Sequence, residues 1–112
     1  MPFINVKTNA AVSKEKCEAI KSALGQAITA LPGKSEQWLM VGIEPECTLY
    51  FQGSDAPCAM VQVQTYGTNA SGTEALTGKI CEILGDTLSI PANRTYVSYF
   101  GTANWGWNGG NF

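Results

Sequence analysis

The sequence predicts an α+β domain built from a duplicated β-α-β unit: a four-stranded mixed sheet with two helices on one face, plus short extra strands. Three observations carry this prediction. Two segments of alternating polarity each precede a helical apolar stripe, each stripe ends at an aliphatic–proline pair, and an apolar run follows each pair. The pairs Leu31-Pro32 and Ile90-Pro91 lie 59 residues apart, and the same offset carries Phe3 to Gln62 and Leu49 to Asn108. Side-chain identities barely match across that offset. The repetition is therefore structural, with halves 1–56 and 57–112 inside a single domain, 1–112.

Phe3 to Thr8 alternates apolar and polar residues, as a half-buried strand does. Ser13 can cap a helix with Cys17, Ile20, Leu24, Ala27, Ile28 and Leu31 on one face, and Pro32-Gly33 stops it. Trp38 to Ile43 is nearly all apolar and reads as a strand buried on both faces, followed by a short strand at Leu49 to Gln52. In the second half, Cys58 to Tyr66 sets Met60, Gln62 and Gln64 against Val61, Val63 and Thr65. Ser71-Gly72-Thr73-Glu74 has the spacing of a capping box, ahead of a helix that buries Leu76, Ile80, Ile83, Leu84 and Leu88. Thr95 to Phe100 is the next strand, and Trp105-Gly106-Trp107 a short one. The second face of this sheet has no helix to cover it, and burying it calls for partner chains.

Composition removes several function classes. There is no histidine, which excludes Ser/His/Asp and Cys/His triads and histidine-based zinc sites. Seven basic and nine acidic residues give a net charge of −2 with no basic run, so neither nucleic acid nor an anionic membrane surface is an expected partner. No stretch approaches the roughly 20 apolar residues of a membrane span. Charged residues are 14% of the chain, against about 25% in an average soluble domain, which fits a surface partly hidden in an oligomer. Cys17, Cys47, Cys58 and Cys81 form no CxxC pair and match no metal spacing. Met1 to Lys7 shows no positive region followed by an apolar run. Free thiols and a cytoplasmic location are the expectations, with no metal and no cofactor.

The chemistry-bearing candidates lie at one sheet edge. Met1-Pro2 is a sequence from which methionine is readily removed, and an N-terminal proline is a secondary amine that serves as a base when its pKa is depressed. A proline is also simply tolerated at a strand start. In a parallel β-α-β unit, Lys34 enters the second strand at the edge where Pro2 begins the first. If the second unit runs antiparallel to the first, Tyr66 and Gly67 return to that edge too. Lys34 as a solvated lysine beside a helix end, and Tyr66 as a packed aromatic, are the plainer alternatives.

With these pieces in place the chain resembles the macrophage migration inhibitory factor family of the tautomerase superfamily. The resemblance rests on Met1-Pro2 and its strand to Asn9, Pro32-Gly33-Lys34, Phe51-Gln52-Gly53-Ser54 with Ala56-Pro57-Cys58-Ala59, Tyr66-Gly67, Ile90 to Val97, and Trp105-Gly106-Trp107-Asn108-Gly109 closing on Asn111-Phe112. It implies a homotrimer with active sites between subunits, and Pro2 as the base of a keto–enol tautomerase acting on phenylpyruvate-type or dopachrome-type substrates. It further implies that Lys34 and the Tyr66 backbone N–H hold a substrate carboxylate. Tyr96 and Ser98 would come from a neighbouring subunit, and Trp105, Trp107 and Phe112 would wall an aromatic pocket. Ser98 stands where founding members have asparagine and Tyr66 where isoleucine is common, while Cys58-Ala59-Met60-Val61 lacks the second cysteine of the family's thiol pair. Arg94, the only arginine, argues against the arginine-dependent dehalogenating relatives. The alternative implied by kinship is a signalling ligand for a cell-surface receptor, secreted without a signal peptide.

Overall fold

A computed structural model describes residues 1–112. Strand β1 (Pro2–Thr8) runs into helix α1 (Lys14–Ala27), and β2 (Met40–Glu44) returns parallel to β1 with Phe3 opposite Met40. Strand β3 (Ala59–Tyr66) lies antiparallel to β1, with Pro2 opposite Thr65. Helix α2 (Thr73–Leu88) then leads to β4 (Thr95–Thr102), parallel to β3. The order β2-β1-β3-β4 places the junction between the two half-units at the sheet centre. The expected mixed four-stranded sheet and duplicated order are both present. A separate hairpin closes the chain, β5 (Gly106–Trp107) against β6 (Gly110–Asn111).

One face of the sheet carries the core. Ile4, Val6, Val61 and Val63 point toward Ile20, Leu24 and Ile28 of the first helical segment and Leu76, Ile80 and Leu84 of α2, all fully buried. Each such side chain contributes roughly 1.5–3 kcal/mol of hydrophobic stabilisation. Ser13 caps α1 as its position predicts, its hydroxyl accepting the Lys16 N–H at 3.2 Å. The opposite face holds Phe3, Asn5 and Lys7 beside Met60, Gln62 and Gln64, then Tyr96, Ser98 and Phe100. No helix lies over it.

Three local expectations are corrected. The segment read as a strand from Trp38 buried on both faces begins with a 3₁₀ turn, Glu36–Trp38, and its strand, β2, is a sheet edge with Met40 68% exposed. An apolar run here marks a face left open by this chain, which sequence alone cannot tell from a central strand. Leu49 to Gln52 makes only a bridge between Phe51 and Ser54, because no strand of this chain lies beside it. The capping box is absent: Gly72 is the N-cap of α2, with no side-chain cap. The Ser71 N–H instead closes a turn on Asn69 Oδ1 at 2.9 Å. The Trp105-Gly106-Trp107 strand exists only because Gly110–Asn111 folds back on it through Asn108 and Gly109, both at positive φ. All four cysteines are unpaired.

Candidate active site at the start of the first strand

Register decides which residues meet Pro2. Parallel pairing of β1 with β2 brings the loop entering β2 to the Pro2 end, and antiparallel pairing of β1 with β3 brings the end of β3 there as well. Gly33, at φ 75°, turns the chain after Pro32, and the Lys34 N–H closes the turn on the Leu31 carbonyl at 3.1 Å. The Lys34 ammonium reaches across and donates to the Tyr66 carbonyl at 2.9 Å. Pro2 itself is buried, on the helix-facing side with Ile4 and Val6. Lys34 and Tyr66 therefore converge on the Pro2 end.

The terminal hairpin supplies the aromatic walls. Trp107 meets Trp38 edge to face, ring centres 5.2 Å apart, and stacks on Phe112 at 6.4 Å with planes 7° apart. Phe112 in turn lies 5.4 Å from Tyr66. The Phe112 N–H bonds to the Trp105 carbonyl at 3.1 Å, which keeps the chain end on the hairpin. A hollow of about 500 Å³ lies among Met1, Pro2, Trp38, Met40, Trp105 and Trp107. Trp38 was not among the sequence candidates. Its signal was there: it follows Lys34 by four residues, in the loop already assigned to this edge.

Electrostatics at the chain start follow from the same arrangement. The Met1 amine is held below its ordinary range, first by burial and second by the Lys34 ammonium nearby. The Tyr66 backbone N–H, expected as a carboxylate donor, bonds to the Met1 carbonyl at 3.1 Å.

Tyr96 and Ser98 are not brought to Pro2 within this chain. Pro2 is level with Thr65 and Gly101, whereas Tyr96 is level with Met60 and Lys7, five residues along, or roughly 16 Å of extended strand. Ser98 sits between, its hydroxyl buried without a hydrogen-bond partner. Tyr96 packs edge-on against Phe51 at 4.9 Å. Arg94 belongs to that end as well. It lies over the Phe51 ring at 5.3 Å and donates to the carbonyls of Pro57, Ser54 and Ala56, each at 3.0 Å. Those bonds occupy its guanidinium in holding the loop before β3. No group of three or more Cys, Asp or Glu residues is arranged to hold a metal ion.

Comparison with known proteins places the whole chain in one company. The sequence model described as "Macrophage migration inhibitory factor (MIF)" matches residues 1–112. The macrophage migration inhibitory factor of Meriones unguiculatus is 33% identical over 115 residues, covering 100% of this chain and 99% of the relative. That of Xenopus laevis is 31% identical over 116 residues, with the same coverage. Among solved structures, Leishmania major MIF2 superimposes with a TM-score of 0.94 at 34% identity, covering 100% of this chain and 97% of that one.

Proposed function

The chain belongs to the macrophage migration inhibitory factor family, and from that premise we propose that it is a keto–enol tautomerase whose general base is the amine of Pro2 once Met1 is removed. The observation that carries this reading is geometric: buried Pro2 opens β1 beside the end of β3, and Lys34 Nζ is fixed at that same end by its 2.9 Å bond to the Tyr66 carbonyl. The Met1 amine at this end is held below its ordinary range by burial and then by Lys34, and a chain beginning at buried Pro2 would place its amine in the path of both influences. Both disfavour the ammonium form, leaving free base near neutral pH.

The chemistry then follows. The Pro2 nitrogen takes a proton from the carbon next to a carbonyl. The C–H electron pair becomes the enol double bond, and the carbonyl oxygen takes up a proton; ketonisation runs the same path backward. Lys34 attracts the substrate carboxylate, and Trp38, Trp105 and Trp107 offer walls to an aromatic ring such as that of phenylpyruvate, with Phe112 stacked against Trp107. Tyr96 and Ser98, remote from Pro2 in their own chain, are assigned to the site of a neighbouring subunit in a homotrimer. The open sheet face and the unpartnered Ser98 hydroxyl support that assembly.

The test is phenylpyruvate tautomerisation by the chain beginning at Pro2, by the Met1-bearing chain and by Pro2→Gly. Activity is expected in the first alone, with the Met1-bearing chain and Pro2→Gly at least about a hundredfold lower, the usual range for removing a general base. Equal activity with Met1 in place would end the reading, since an amide nitrogen is no base. A family named for its effect on macrophages supports a second role, as a ligand of a cell-surface receptor. Receptor binding that survives Pro2→Gly would separate it from catalysis.

A further inference from the structure

Just before β2 the chain makes one 3₁₀ turn, Glu36–Trp38. The Trp38 N–H donates to the Ser35 carbonyl at 3.3 Å and the Leu39 N–H to the Glu36 carbonyl at 3.1 Å. Three residues complete such a turn, so its three side chains leave the axis in three directions. The Glu36 carboxylate lies against α1, in the space that Gly25 leaves by having no Cβ. Trp38 meets Trp107 edge to face. The third residue, Gln37, lines the hollow beside Pro2 together with Trp38, Trp105 and Trp107. Every other side chain around that hollow is aromatic, aliphatic or a thioether. An indole N–H only donates, so Gln37 Oε1 is the one strong side-chain acceptor this chain places there.

We propose that Gln37 is a specificity-determining residue: its Oε1 accepts the proton of a hydroxyl carried on the substrate's aromatic ring, so that ring-hydroxylated substrates are preferred to their bare phenyl counterparts. The inference rests on reading the hollow as the site of an aromatic substrate, and it names the ring which that site selects. A phenol moving from water into an apolar hollow gives up its hydrogen bonds to solvent, and its proton then needs an acceptor. The tryptophan walls cannot supply one. Gln37 can. Its side chain is itself exposed, so the amide exchanges water for the phenol and the preference is modest, about fivefold.

The experiment titrates the chain beginning at Pro2 with phenylacetate and 4-hydroxyphenylacetate, which differ only in the ring hydroxyl and have no keto–enol chemistry. Quenching of tryptophan fluorescence gives the two affinities, and their ratio is the readout. Two variants accompany the wild type. Gln37→Met keeps the length of the side chain and loses the strong acceptor. Gln37→Glu keeps an acceptor and adds a charge that weakens both anionic probes alike. The wild type is expected to bind the hydroxylated probe about fivefold more tightly. Gln37→Met should bind the two equally, and Gln37→Glu should retain the preference. A side chain that only shapes the turn would move both affinities together and leave the ratio unchanged. Equal wild-type affinities, or a preference lost in Gln37→Glu, would overturn the proposal. So would a preference that survives Gln37→Met, which would give the hydroxyl to another group such as Tyr96 or Ser98 of a neighbouring subunit. Turnover of 4-hydroxyphenylpyruvate and phenylpyruvate is measured separately. A chain that meets the binding expectations yet turns over neither would retire the tautomerase reading and leave this one standing. A chain that tautomerises both with equal kcat/KM, and binds both probes equally, would do the reverse.

Discussion

Lys34 acts on its surroundings in two ways that one substitution can separate. Its ammonium is bonded to the Tyr66 carbonyl, and it disfavours a second positive charge at the chain start. In the proposed mechanism the active form of the Pro2 base is the neutral amine. Removing a neighbouring cation raises an amine's pKa, so Lys34→Ala should move the kcat/KM–pH profile to higher pH, and Lys34→Glu further still. KM for phenylpyruvate should also rise, by roughly tenfold, with the lost carboxylate partner. A profile that stays in place would show that Lys34 does not tune the base. Tyr99 offers a stability test. Its hydroxyl donates to the Thr73 carbonyl at 2.8 Å and accepts from Thr77 Oγ1 at 2.7 Å, tying β4 to the first turns of α2. Burial pushes its pKa up, opposed by Thr77 and aided by Cys81. Tyr99→Phe should cost roughly 1–2 kcal/mol in urea unfolding near neutral pH. Because the folded pKa is raised, the unfolded tyrosine ionises first. The stability this group contributes is complete below pH about 10 and fades as pH climbs through the folded value, so the gap between wild type and variant should close at alkaline pH.

Among the elements, the start of α2 shows how tertiary packing resets a local signal. A capping box would put Ser71 at the N-cap, yet Gly72 takes that place at φ 82°. A Cβ added there would collide with the Ala30 carbonyl, backbone that joins the end of the first helical segment to the loop before β2. Gly72→Ala meets both the left-handed backbone and that collision, and should cost at least about 2 kcal/mol. Gly33, at φ 75° with open space around its Cα, provides the comparison. Gly33→Ala meets the backbone penalty alone, about 1 kcal/mol. Thermal or urea unfolding of the two variants should rank them in that order, and equal losses would show that the contact with Ala30 is easily relaxed.

For the whole molecule, the open sheet face sets the expectation. Tyr96 and Phe100 are 62% and 53% exposed in the single chain, and Met40 68%, too much apolar surface along one sheet to leave to water. Light scattering should give about three times the 11.9 kDa subunit mass. Phe100→Glu is mild for an isolated subunit, where the side chain is largely in water, and severe beneath a partner. It should give a folded monomer that has lost tautomerase activity, although Pro2 and Lys34 are untouched. An active monomer would show that Tyr96 and Ser98 of a neighbour are dispensable.

Much of this was determined by the sequence itself. Alternating polarity, helical stripes and the two aliphatic–proline stops are local patterns, and they specified the β-α-β repeat and hence the edge at which Pro2, Lys34 and Tyr66 meet. Resemblance added the aromatic residues of the chain end. Features that depend on what lies across space were settled only by the tertiary structure. An apolar run reads the same in a central strand and in an edge strand, so the place of β2 beside β1 alone needed the fold. The N-cap of α2 depended on Ala30, more than forty residues away, and the hairpin on Gly110–Asn111 folding back onto Gly106–Trp107. Trp38 became a wall of the hollow only through its edge contact with Trp107. Least legible of all was the Met1 carbonyl on the Tyr66 N–H: a main-chain bond carries no residue signature, and only the paired register of β1 and β3 brings its two ends together.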